Sequence, residues 1–441
     1  MSAVGFCGNW IIVTCDKKLF AVHTKEAREP FVFDCSTAEK KPKNTQDEKN
    51  SDGGSSEETG SDKVLAFAVS PSGKLLALSD DTKRLVLFSC EPSWHCISIR
   101  WVVRRCTSLV FTQAEDELLV ADKSGDVYAF SVVEPQKEGE LKMGHLSMLL
   151  ALTVSLDDKY IITADRDEKI RVSHLRSPYN IQSFCLGHRQ FVSTLQILST
   201  HPHWLLSGSG DGTLKLWDYE SGSELQSCDL RQLDETTSSE ADKDKDPTVC
   251  RVTSSTDGQY VAVQCDRVPI LQLFTLTQKD NEKLVPHSRI SLPCCPLDVN
   301  FDPEGRLWVL MDSSDAPLQI YSLTHSSWEC VAHVPELNRV TKAFRPHWET
   351  LEDWGNLQSA ESEEWMTDEM FLPLKTLRPA SLRTNNRFEQ LHKVTFDNVA
   401  VYLQKKQQRL EEQQLKRSGG QRAKCNKRAK KETEAVTQPF A

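Results

Sequence analysis

"GHRQFVSTLQILSTHPHWLLSGSGDGTLKLWDY", residues 187–219, opens on Gly-His, closes on Trp-Asp and carries a glycine cluster between them. The cluster "GSGDG" has two readings, a phosphate-cradling loop or a turn. A dinucleotide-binding loop needs a helix opening directly after its glycines, so that the helix N-terminus meets the pyrophosphate. Here the glycines run into "TLKLW" (213–217), which alternates polar and apolar residues with the period of a strand. "GSGDG" is therefore a hairpin turn between two strands.

The hairpin recurs. "LLSGSGDGTLKLW" (205–217) aligns with "LLALSDDTKRLVLF" (75–88), "LLVADKSGDVYAF" (118–130), "IITADRDEKIRVS" (161–173) and "VAVQCDRVPILQLF" (261–274). The last positions of the units are Phe33, Phe88, Phe130, Ser173, Trp217, Phe274 and Tyr321, and the central ones are spaced by 42, 43 and 44 residues. A period of about 40–45 residues marks a four-stranded propeller blade. Two longer gaps hold polar inserts, 39–62 and 234–247, whose lack of apolar residues predicts disordered surface loops. A further strand precedes each unit: "FAVSPSGK", "LVFTQAED", "LTVSLDDK", "VTSSTDGQ" and "VNFDPEGR". The expectation is an all-β, seven-bladed β-propeller over 1–338, with "SSWECVAHVPEL" as the outer strand closing the ring onto the N-terminal blade.

The unit at 187–219 resembles a WD repeat. His188, Ser207, Asp211 and Trp217 fall where such repeats place a buried His, a hydroxyl, a turn Asp and a strand-end Trp. A polar set of this kind is tolerated in a core only when fully hydrogen-bonded, and it then fixes blade geometry. The preceding unit keeps Gly144, His145 and Asp167, with Ser173 in place of Trp.

Composition bounds the function. The formal charge of −10 over 441 residues argues against a surface that coats nucleic acid throughout. Fourteen scattered cysteines, often in apolar runs and never as Cys-x-x-Cys, suggest reduced thiols of a soluble, intracellular protein without a membrane span. No catalytic, cofactor-binding or metal-binding pattern occurs: G-x-S-x-G, H-E-x-x-H and the Walker sequence are absent, and "HPH" (201–203) has no accompanying ligands. A propeller without such groups works through its rims, as a platform for partners.

The most charged turn is "ADRDEKIR", with Asp165, Arg166, Asp167, Glu168, Lys169 and Arg171 close together. Glu168 stands where the next blade has Gly212, and Asp167 reads as the turn Asp. Alternating charge suits complementary docking, and a solvated turn is the competing reading. Lys123 lies at the equivalent turn of the preceding blade, so the two loops should be neighbours.

After the propeller comes an acidic, tryptophan-containing linker (339–387), then a charged helix anchored at its start (388–417), then a basic tail (418–441). Lys405, Lys406 and Arg409 are candidates for phosphate contact. The tail "KRSGGQRAKCNKRAKK" admits three readings: a nuclear import signal, an RNA-backbone contact or a solubilising tail.

"VADKSGDVYAFSV", "GHLSMLL", "TADRDEKIRVS", "SGDGTLKLW" and "KVTFDNVAVYL" resemble the WD-repeat, non-catalytic subunit of the eukaryotic tRNA (guanine-N7) methyltransferase. The resemblance implies a heterodimer. A separate catalytic subunit binds S-adenosylmethionine and makes N7-methylguanosine in the tRNA variable loop, while this chain, itself without cofactor, holds that subunit active. It implies docking through Asp167, Glu168, Arg171 and Lys169, with Arg166 and Lys123 beside them, and tRNA contact near Lys405, Lys406 and Arg409. The nucleus is the expected compartment, with the cytoplasm as a second. The alternative is a substrate receptor of a cullin ubiquitin ligase, a class that often places Arg two residues after Trp-Asp, where "LWDYE" has Glu220.

Overall fold

The computed structural model describes residues 2–41, 60–233, 247–277, 283–313, 316–331, 334–344, 388–392 and 406. Among the described residues, twenty-eight strands form seven antiparallel four-stranded sheets, each built from consecutive strands. Blade I holds β1 Ala3–Cys7, β2 Trp10–Cys15, β3 Lys18–His23 and β4 Phe31–Asp34; blade II holds β5 Val64–Val69, β6 Leu75–Asp80, β7 Arg84–Ser89 and β8 His95–Trp101. Blade III is β9 Cys106–Phe111, β10 Glu117–Asp122, β11 Asp126–Ser131 and β12 Glu140–Gly144; blade IV is β13 Leu149–Val154, β14 Tyr160–Asp165, β15 Ile170–His174 and β16 Ser177–Cys185. Blade V is β17 Val192–Leu198, β18 His201–Ser209, β19 Thr213–Asp218 and β20 Ser223–Asp229. Blade VI is β21 Val249–Ser254, β22 Tyr260–Cys265, β23 Ile270–Leu276 and β24 Leu284–Ser291; blade VII is β25 Pro296–Phe301, β26 Leu307–Met311, β27 Leu318–Thr324 and β28 Ser327–Cys330.

Each blade is covered on both faces by its neighbours, so its second strand is mostly buried and reads as a nearly continuous apolar run, fully buried in "WIIVTC" of β2 and "YIITAD" of β14. Seven apolar clusters fill the seven gaps between blades, from Ile12 with Leu78 between I and II to Trp308 with Val13 between VII and I.

The structure corrects the sequence reading in three places. Phe33 is not the third-strand marker of blade I. It lies on the outer strand β4, and the residue in register with Trp217 and Phe88 is Val22, opposite Ile11. The reading counted aromatics, and blade I happens to carry its aromatic one strand further out. Second, "SSWECVAHVPEL" does not close the ring by joining the N-terminal sheet: β28 pairs with β27 in its own blade, and blade I supplies all four of its strands. Closure is face-to-face packing, with Val4 N–H donating to Asp298 Oδ2 at 2.8 Å and Phe6 edge-on to Trp308 at 5.8 Å. Third, the pattern does not stop at 338. A helix over 335–344 (α1) buries Val340 and Phe344 in that same gap, with Phe344 edge-on to Phe20.

The front of the segment expected to be a helix from 388 is a single 3-10 turn, Glu389–Leu391. Most of both inserts, residues 345–387, and Lys405 and Arg409 lie outside the described residues. The chain divides into Met1–His392 and Lys393–Ala441; in the second unit Lys406 is helical and exposed.

Candidate functional site

In blade V the structure brings His188, Ser207, Asp211 and Trp217 together. Trp217 Nε1–H donates to Ser207 Oγ at 2.8 Å, Ser207 Oγ and His188 Nε2 are 2.7 Å apart, and His188 Nδ1 is 3.1 Å from Asp211 Oδ2. With Nδ1–H given to the carboxylate, Nε2 accepts and Ser207 O–H donates, which yields one relay running Trp217 to Ser207 to His188 to Asp211. The remaining carboxylate capacity is filled by Arg189 N–H, Thr213 N–H and Thr213 Oγ1–H. The relay ties the turn entering β17 to the turn joining β18 and β19, and so holds the rim in shape.

Burial alone pushes the Asp211 carboxyl up, but the hydrogen bonds from His188, Thr213 and Arg189 outweigh it and hold the group well below the usual carboxylate range. A folded-state pKa below the unfolded one contributes stability that is fully present above about pH 4 and is lost as the pH falls through the folded value. Acid denaturation of Asp211→Asn should therefore show a shallower loss of stability below about pH 4 than the parent, read from urea midpoints at several pH values. Equal slopes would mean that the carboxylate carries no such stabilisation.

Blade IV solves the same problem differently. His145 lies 2.8 Å from Thr163 Oγ1 through Nε2 and 3.2 Å from Asp165 Oδ2 through Nδ1. The turn aspartate is thus Asp165, at the end of β14, and not Asp167. Asp165 Oδ1 accepts N–H groups of Asp167 and Lys169, the pattern that Asp80 makes with Thr82 and Arg84, and Asp122 with Ser124 and Asp126. Burial raises the carboxyls of Asp80 and Asp122; in Asp165 it is outweighed by His145 and Lys169, and the carboxyl is lowered. Asp165 caps the turn, and Asp167 sits half-buried on the rim beside exposed Lys169.

Glu168 occupies the left-handed position of the turn, φ 69°, where blade III has Gly125 and blade V has Gly212. A side chain there costs about 1–2 kcal/mol over glycine, and such strain concentrates at functional positions. Glu168→Gly should raise the propeller's stability by about 1 kcal/mol while weakening partner binding, measured by denaturation and by heterodimer affinity. Heterodimer affinity equal to or above the parent's would remove Glu168 from the interface.

Arg171, on β15, reaches across to blade III: Nη1–H donates to Gly144 O at 3.2 Å, while Nε is buried without a hydrogen-bond partner. Its cross-strand neighbour is Phe184 on β16. Phe184 and, in the connection after β16, Leu186 are exposed apolar residues at the end of the strand nearest the charged turn.

The Lys123 turn is adjacent. His145 N–H donates to Gly125 O at 2.8 Å, and Arg166 N–H donates to Met148 O at 2.9 Å, so the connection 144–148 lies between the turns of blades III and IV. Gly125 permits this: a Cβ there would meet Ser147 O at 2.5 Å and His145 O at 2.7 Å. Arg166 turns inward over the rim. Its guanidinium donates from Nη2 to Gln390 O at 3.1 Å and from Nε to Leu391 O at 3.4 Å. Sequence reasoning missed the other half of this contact, Phe388 and Leu391 packed on Phe191; their spacing of three just before a basic stretch was the available signal.

Among the described residues no group of three or more His, Cys, Asp or Glu could hold a metal ion, and no helix is long and apolar enough to cross a membrane.

Seven four-stranded blades with a His-Ser-Asp-Trp relay define a WD-repeat β-propeller. The chain matches solved propellers described as "Crystal structure of RRP9 WD40 repeats" (TM-score 0.56, 17% identity, 70% of this chain and 86% of that one) and "Crystal Structure of Mitotic Checkpoint Complex" (0.56, 13%, 75% and 86%). Residues 17–140 and 132–330 match the family described as "tRNA methyltransferase TRM82 WD40 domain", and the chain belongs to that family. It is 51% identical, over 99% of both chains, to the "tRNA (guanine-N(7)-)-methyltransferase non-catalytic subunit wdr4" of Danio rerio. To the subunit of that name in Homo sapiens it is 39% identical over 91% of this chain and 89% of the other.

Proposed function

We propose that this chain is the non-catalytic scaffold subunit of a heterodimeric tRNA (guanine-N7) methyltransferase, docking its catalytic partner on the rim of blades III and IV. The observation that carries the docking site is the blade IV turn itself. It combines a strained Glu168, a turn capped by Asp165, a half-buried Arg171 and the exposed apolar residues Phe184 and Leu186 beside it. Exposed apolar surface beside alternating charge supplies both area and orientation. The S-adenosylmethionine site and the reacting groups belong to the partner in this reading. The scaffold acts by binding only the productive arrangement of that partner, and each tenfold shift in population needs about 1.4 kcal/mol of differential binding.

The basic chain after His392 is assigned to tRNA phosphates, and its lysine and arginine clusters to nuclear import. The ligase-receptor alternative has less support: Glu220 stands where that class places Arg, lies 3.9 Å from Lys159 Nζ, and neither of the two subunits named for comparison carries such a description. Methyl transfer from labelled S-adenosylmethionine to bulk tRNA tests the assignment. Activity should require the mixture of the two subunits, with none from this chain alone; no enhancement by a folded propeller would overturn it.

A further inference from the structure

We infer that Phe388–His392 is a clasp, held by Phe191 and Arg166, that fixes the point where the basic C-terminal chain leaves the rim and so presents its cations to tRNA on the partner. The inference rests on the docking reading of the blade IV turn. Its basis is a five-residue segment that spans three blades. The Phe388 ring is parallel to Phe191 (centroids 5.9 Å apart, 5° between planes), and the His392 ring meets Phe191 edge-on at 5.0 Å. Phe388 and Leu391 are each 8% exposed and pack with Met148 and Leu150 of blade IV and Cys250 of blade VI. The polar half of the clasp comes from the docking turn itself, because Arg166 donates to the carbonyls of Gln390 and Leu391. The turn ends at His392, whose backbone is extended (φ −59°, ψ 135°).

The position in the chain gives the clasp its purpose. The stretch 345–387 carries eight carboxylates against five lysines and arginines, whereas 393–441 carries twelve lysines and arginines against five carboxylates. The clasp sits where the charge changes sign. Along the chain Lys405 is 61 residues from the end of α1 and 13 from the clasp, and shortening the chain between an anchor and a binding group by that ratio raises local concentration about tenfold on a −3/2 power dependence. Because the tail contacts a polyanion through unspecific charge, local concentration translates directly into affinity for RNA.

The test uses the full-length chain in the heterodimer, with a tRNA transcript as substrate. Phe388→Ala and, separately, Leu391→Ala should raise KM for tRNA about tenfold, with kcat at saturating tRNA, heterodimer affinity and the propeller's melting temperature unchanged. Phe388→Tyr, which keeps the ring stack, should restore KM. Neutralising the tail (K405A/K406A/R409A) should raise KM as well, and adding Phe388→Ala to it should have little further effect. An unchanged KM in Phe388→Ala, beside a raised KM in the tail variant, would overturn the clasp while leaving the tail's RNA contact standing. An unchanged KM in the tail variant would remove the RNA contact and the clasp's purpose together. Weaker heterodimer formation by Phe388→Ala would make the segment part of the docking surface instead.

Discussion

Alanine at Trp217 should lower the stability of the propeller by about 3–5 kcal/mol, the cost of emptying a fully buried tryptophan site. Trp217 is wholly buried between blades IV and V, packed with Ile162, Val172, Cys185 and Leu205. Its indole N–H is also the head of the relay that reaches Asp211. Two losses are therefore combined, a cavity between blades and a missing donor to Ser207. Trp217→Phe separates them, because it keeps most of the volume and gives up the hydrogen bond, for about 1 kcal/mol. Chemical denaturation of the isolated subunit measures both. A cost under about 1 kcal/mol for the alanine variant would mean that the gap closes by blade movement, and that the relay does not hold blade V to its neighbour. Blade IV already lives without this residue, since Ser173 stands at the equivalent register position opposite Ile161 and its hydroxyl is buried without a partner.

Charge reversal at Arg171 should weaken the heterodimer by at least thirtyfold, corresponding to about 2–5 kcal/mol for disrupting a desolvated charge at an interface. Methyl transfer by the mixture, at subunit concentrations near the parent Kd, should fall in parallel. The guanidinium is half-buried, is desolvated enough to lower its pKa, and keeps a buried Nε without a partner in the free chain. A carboxylate at this position would present the wrong sign to an acidic partner group. The substitution also removes the bond to Gly144 O, so a stability loss of about 1 kcal/mol is expected and has to be measured beside binding. Arg171→Lys keeps the sign and gives up the fork, and should fall between the two. Parent-like activity of Arg171→Glu would move the docking site off this turn.

These residues differ in how visible they were beforehand. The relay of blade V was legible because all four members keep fixed offsets inside one repeat, and the repeat is written in local alternation and turn chemistry. Asp165 and Asp167 were not separable in the same way. They are two positions apart in one turn, and which of them meets His145 depends on the depth at which the preceding connection crosses the rim. Arg171 was legible as a charge in an unusual turn, but its reach to blade III was not. Arg166 was read as part of the docking turn, and its contact with residues more than 220 positions away was not.

The amino-acid order alone determined the number of blades, the inner hairpins of five of them, the composition of the buried relay and the family, since each is carried by patterns no longer than one repeat. Tertiary structure decided how the ring closes, that Val22 and not Phe33 is the register partner in blade I, which aspartate caps the blade IV turn, and where the C-terminal chain is held. Each of those outcomes depends on the distance between groups that sequence separation does not encode, and hydrogen bonds and ring contacts act only across a few ångströms.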